Sequence, residues 1–136
     1  MSMLRNYAVL LFCLSISSLV LGEEDNSQSL PDIEIHSIYA DGREIISTYK
    51  DRQLEYRIVS GRMKGAFARG LDFVSRKIED QIYLVSWHDQ NNAFYISLII
   101  DLKNNREYHT SIMGYSNENP MTNFLAAEIT SIKLLE

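Results

Sequence analysis

The sequence predicts an all-β fold, a small antiparallel sandwich or barrel. Three observations carry that expectation. From Asp32 onward, short runs rich in Ile, Val, Tyr and Phe recur about every ten residues, the spacing of a sandwich or barrel. Clusters of Asp, Asn and Gly separate them. No stretch carries the 3.6-residue apolar period of a long helix.

The elements follow in chain order. Residues 1–22 read as a secretory signal peptide: Arg5 is the lone early charge, Ala8 to Leu21 is uncharged and strongly apolar, and Val20-Leu21-Gly22 supplies compact residues before a cut after Gly22. That run is too short to span a bilayer comfortably, so no stable membrane span is expected after cleavage. Residues 23–31 are polar and acidic and read as a flexible leader. The barrel domain then covers 32–136. Strands are expected near Ile33 to Ala40, Arg43 to Tyr49, Gln53 to Ser60, Lys64 to Arg69 and Leu71 to Lys77. Four more are expected near Gln81 to His88, Ala93 to Leu102, Glu107 to Met113 and Ala126 to Leu134. Asp41-Gly42 is the strongest hairpin signal, because Gly takes positive φ without a Cβ clash and Asp tolerates it. Asp89-Gln90-Asn91-Asn92 and Asn104-Asn105 read alike, while Pro120 could open a helical turn within Ser116 to Leu125.

Period-two alternation puts Tyr83, Val85, Trp87 and Asp89 on one face of a strand and Ile82, Leu84, Ser86 and His88 on the other. Both faces are partly apolar, which suits a curved sheet whose outer side is covered by a helix, a partner subunit or another part of the barrel.

Composition narrows the function. Removing 1–22 takes away one cation, Arg5, and no acid, so the formal charge moves from −5 to −6. An acidic domain of this kind argues against nucleic acid, whose phosphates need clustered Lys and Arg. The single cysteine, Cys13, lies in the signal segment, so the mature chain offers no thiol nucleophile and no disulfide. His36, His88 and His109 fall on separate strands without paired spacing, and no metal site is expected. Neither a phosphate-binding glycine loop nor a G-x-S-x-G elbow occurs. Gly61 and Gly65 read as a bend or bulge rather than a ligand contact. Arg57, Arg62, Lys64 and Arg69 form a basic stretch that reads as a solvated outer face.

The run Leu54-Glu55-Tyr56-Arg57-Ile58-Val59-Ser60-Gly61-Arg62-Met63-Lys64-Gly65, with Ile82-Tyr83-Leu84-Val85-Ser86-Trp87 after it, resembles the core of bacterial phenolic acid decarboxylases and the related MoaF-like proteins. Ile38-Tyr39-Ala40-Asp41-Gly42 and Ala127-Glu128-Ile129-Thr130 extend the resemblance over nearly the whole domain. It implies an all-β, small antiparallel lipocalin-like (calycin) β-barrel of eight to nine strands, flattened and often dimeric, with an internal ligand cavity. It also implies four decarboxylase side chains and no cofactor: two tyrosines one residue apart, an arginine and a glutamate. Here the tyrosine pair is Ser37 and Tyr39, the arginine falls on Ala66, and the glutamate is Asp89. A positioned acid or base contributes about 10²- to 10⁴-fold to rate, so these departures predict absent or very slow decarboxylation.

Tyr39, Tyr56, Trp87 and Asp89 are therefore the expected pocket residues. The reading is an exported protein, secreted or periplasmic, binding a small and partly aromatic or amphipathic molecule in the barrel. Two alternatives stand beside it: a diverged cofactor-free lyase in which Tyr39 and Asp89 keep acid–base roles, and a secreted homodimeric interaction protein with a filled barrel.

Overall fold

A computed structural model describes residues 28–136. The signal segment and the first part of the leader lie outside the described residues. Eight strands follow one another: β1 (Ile33–Tyr39), β2 (Glu44–Lys50), β3 (Gln53–Ser60), β4 (Phe67–Glu79), β5 (Ile82–Asp89), β6 (Phe94–Asp101), β7 (Arg106–Met113) and β8 (Met121–Leu134). Each pairs antiparallel with the next, and β1 pairs with β8, so the sheet closes as an up-and-down barrel. Closure leaves no unpaired strand edge.

The alternation in β5 decides which surface faces in. Tyr83, Val85, Trp87 and Asp89 are buried while Leu84 and His88 are exposed. Between β1 and β2, Gly42 sits at φ +83° and donates its N–H to the Tyr39 carbonyl at 2.9 Å, while the Asp41 carboxylate accepts the Arg43 N–H at 3.1 Å. That is the hairpin chemistry expected of Asp-Gly.

Two expected boundaries move. Lys64 to Arg69 and Leu71 to Lys77 were expected as separate strands, but Phe67–Glu79 is continuous. Gly70, at φ +67°, absorbs the irregularity as a bulge: Leu54 pairs with Leu71 but Tyr56 with Ala68, so three steps on β4 oppose two on β3. A glycine there bends the strand without ending it. No helical turn forms within Ser116 to Leu125; Met121 already opens β8 opposite Met113, and Pro120 stands just outside the ladder, where its missing N–H costs no strand bond.

The barrel has two unlike ends. At one lie the β2–β3, β4–β5 and β6–β7 turns, and there Ile33, Ile35, Tyr49, Leu54, Val85 and Ile100 are almost fully buried. Phe73 packs edge-on against Tyr49 with ring centroids 5.3 Å apart. Leu30, expected in the flexible leader, is buried in this cluster and donates its N–H to Ser75 Oγ at 2.9 Å. An apolar side chain next to a φ-restricted proline makes an efficient plug for a barrel end.

Candidate ligand cavity

At the opposite end the β1–β2, β3–β4, β5–β6 and β7–β8 connections ring an opening. Below it lies a cavity of about 380 Å³, within the range of small-molecule sites. It reaches the surface between Asp41, Arg62 and Met63, all exposed. Tyr39, Tyr56 and Trp87, three of the four expected pocket residues, line it together.

Asp89 is buried but does not line this cavity. Its carboxylate accepts from the Asn92 side chain at 2.7 Å and from the Asn92 backbone N–H at 3.2 Å, closing the β5–β6 turn. It remains electrically coupled to the site, since burial first and the Asp89 charge second raise the Tyr56 phenol above its ordinary pKa.

Tyr39 is held on three sides. Its hydroxyl donates to Glu107 Oε2 at 3.2 Å, the His109 ring meets it edge-on at 5.9 Å, and the Arg43 guanidinium lies 5.5 Å from its ring centre. Arg43 itself is paired with Asp41 at 2.8 Å, so its charge is largely neutralised. Burial, with the Glu107 charge next, keeps the Tyr39 phenol protonated far beyond its usual range. Burial likewise raises Glu107, against hydrogen bonding from Ser37 and Tyr39 that favours the carboxylate. Burial and then the Arg43 charge lower His109 to about 4, so at neutral pH its imidazole is uncharged.

Glu107, His109 and Ser111 escaped the sequence reading as site residues. The signal was present: alternation places them with Met113 on one face of β7, and that face is turned inward although the other carries Tyr108 and Ile112, both exposed. A strand with its polar face inside and apolar face outside is inverted relative to ordinary packing. Among the described residues the His109 ring nitrogens and the Ser111 hydroxyl make no hydrogen bond, and the buried Trp87 Nε1 has no partner either. Polar groups left this way in a folded interior call for an occupant.

The rim adds three methionines. Met63 from the β3–β4 connection and Met113 and Met121, paired at the end of β7 and the start of β8, all line the cavity, and thioether chains adapt their shape to what they contact. Arg62 lines it as well while staying exposed to solvent as expected, and Arg57 and Arg69 are exposed too, with Arg69 covering the Phe67 ring at 5.1 Å. Gly61 explains how the rim is assembled. A Cβ there would lie 2.6 Å from the Gly42 carbonyl oxygen, so only glycine lets the β3–β4 connection lie against the β1–β2 turn. Its expected role as a bend holds, and it also sets Arg62 beside the Arg43–Asp41 pair.

No family model matches the chain, and no curated protein sequence does. Among solved structures, the chain is similar to a protein from Burkholderia vietnamiensis described as a "putative beta-lactamase", with a TM-score of 0.62 over 77% of this chain and 94% of that one at 14% identity. A likeness at that identity concerns the barrel fold alone.

Proposed function

We propose that this protein is exported and holds a small, partly aromatic or amphipathic molecule inside its barrel, as a MoaF-like binding protein would. The observation that carries the reading is one space of about 380 Å³ lined together by Tyr39, Tyr56 and Trp87, residues from three strands that the family resemblance and the β5 alternation had grouped. A barrel packed solid would leave no such space. The binding uses no cofactor.

Trp87 is the only tryptophan of the chain and so reports on its own site. Titration with the neutral fluorophore N-phenyl-1-naphthylamine is expected to quench Trp87 and brighten the probe with one-to-one saturation. Ser47→Phe, which fills the cavity wall, is expected to remove both signals. Probe emission that rises linearly and is indifferent to Ser47→Phe would sink the reading. Export is checked separately, by N-terminal sequencing of the protein expressed with its own leader, which is expected to begin at Glu23.

The lyase alternative has weaker support. Asp89 is committed to the β5–β6 turn and Ala66 brings no charge, so incubation with hydroxycinnamic acids is expected to release no carbon dioxide. The homodimer has one specific observation in its favour. Leu84, Ile99 and Tyr108 are neighbours in register on the outer sheet, and each is more than a third exposed. An apolar row of this kind is suited to a second copy of the chain, a state that analytical ultracentrifugation would read directly.

A further inference from the structure

In a closed ring of eight strands, those four apart lie across the bore from one another. The cavity wall divides along that line. From β3, β5 and β6 come Tyr56, Ile58, Trp87, Phe94, Ile96 and Leu98. From β1, β2, β7 and β8 come the neutral hydrogen-bonding groups Tyr39, Ser47, His109, Ser111 and Asn123, together with Ile45, Leu125 and, at the mouth, Met113 and Met121. On the first half only the Tyr56 hydroxyl and the Trp87 indole N–H are polar.

Among the described residues charge lines the cavity only at its rim, where Arg43 is paired with Asp41 and Arg62 is exposed to solvent. Glu107 lies behind Tyr39 and outside the cavity lining. His109 is neutral at physiological pH and can act as donor on one nitrogen and acceptor on the other.

Resting on the binding reading above, we propose that the site selects a planar, uncharged aromatic molecule with a hydrogen-bonding edge: the ring lies against Trp87, Tyr56 and Phe94, and the edge meets His109, Ser111 and Asn123. An anionic group buried against His109 and Ser111 would lie below the rim cations and lose its hydration, whereas an amide or lactam edge would satisfy His109 and Ser111, which otherwise lack hydrogen-bond partners among the described residues. Selectivity of this sort comes from the cost of leaving site groups unpaired, so a plain hydrocarbon of the same shape is at a disadvantage too.

Calorimetric titration of the purified protein with three bicycles of one shape tests this: naphthalene, 2-naphthamide and 2-naphthoate. The amide is expected to bind on the order of tenfold more tightly than either of the others. In the double variant His109→Phe, Ser111→Ala that advantage is expected to vanish, the amide falling to the level of naphthalene while naphthalene itself is little changed. Should that double variant fail to fold, Asn123→Leu at the wetter end of the same wall is expected to reduce the advantage in the same direction. Equal binding of amide and hydrocarbon overturns the polar-edge assignment and leaves cavity binding standing. Tightest binding of the carboxylate overturns the preference for neutral molecules. Absence of binding by all three, together with no saturable quenching of Trp87, overturns the binding reading itself.

Discussion

The two ends of this barrel are made from the same eight strands and behave as different materials. At the plugged end, Ile33, Ile35, Leu54, Val85 and Ile100 cluster with Tyr49 and Leu30, and all of them are buried. At the open end the inward positions of the same strands carry Tyr39, Ser47, Trp87, His109 and Ser111, and about 380 Å³ stays unfilled. The change is visible along β5 in the step from Val85 to Trp87. The difference teaches that stability and recognition are divided along the barrel axis. One end supplies most of the hydrophobic burial that holds the sheet closed, and the other is released to carry polar groups such as His109, Ser111 and the Trp87 indole N–H, which have no hydrogen-bond partner in the described residues.

If that division is real, substitutions at the two ends must fail in different ways. The largest effect is expected at the plug. Leu54→Ala, 1% exposed in the native fold, is expected to cost about 2–5 kcal/mol, read as a drop in the denaturation midpoint, with ligand affinity unchanged in the molecules that remain folded.

Next comes a pH dependence that belongs to the cavity wall. The folded state depresses His109 from 6.5 to about 4, so its contribution to stability is fully present above pH 6.5 and is lost as the pH falls through about 4. Comparison with His109→Gln by denaturant titration across that window is expected to show a difference approaching about 3 kcal/mol. Glu107 works with the opposite sign. Its folded pKa is raised, so its contribution is present at low pH and is lost as the pH rises through the raised value.

A smaller effect is expected where the rim is tied together. Gly61→Ala meets the Gly42 carbonyl and demands a side chain at φ +76°, and the conformational part alone costs about 1–2 kcal/mol. Because the strain falls on the mouth, affinity for a cavity probe is expected to drop with it. The smallest effect on stability is expected for Ser111→Ala, within about 0.5 kcal/mol, since its hydroxyl has no protein partner to lose. Binding of a polar-edged ligand is expected to weaken all the same, and that dissociation of the two readouts is what distinguishes a recognition position from a packing one.

Much of the barrel was legible in the sequence because its causes are local. Asp41-Gly42 dictates a tight turn, and the alternation of Tyr83, Val85, Trp87 and Asp89 dictates a face, wherever the strand ends up. The fusion of two expected strands at Gly70 was not legible, because a glycine reads the same whether it bulges a strand or separates two. Met121 to Leu125 lacks a strong pattern of its own and becomes strand through pairing with β7. Leu30 was read from its polar neighbours, yet one apolar side chain sufficed to anchor it.

In the site, the resemblance pointed to Tyr39 and Tyr56 and the alternation of β5 to Trp87, while the polar residues of β7 were missed for a physical reason. Hydrophobic patterning assigns apolar faces to the interior, and β7 turns Glu107, His109 and Ser111 inward while Tyr108 and Ile112 face out. Only the closed topology, which fixes the direction of every strand by its two neighbours, reveals that inversion. Asp89 was grouped correctly by face, but the turn three residues on claims its oxygens.

A crystal structure of the protein soaked with 2-naphthamide addresses the central claim most directly. The account predicts one bicycle in the bore, its ring on Trp87 and its amide within hydrogen-bonding distance of His109 or Ser111. A bicycle lying instead on the outer row of Leu84, Ile99 and Tyr108, with the bore closed by rearranged side chains, would contradict it.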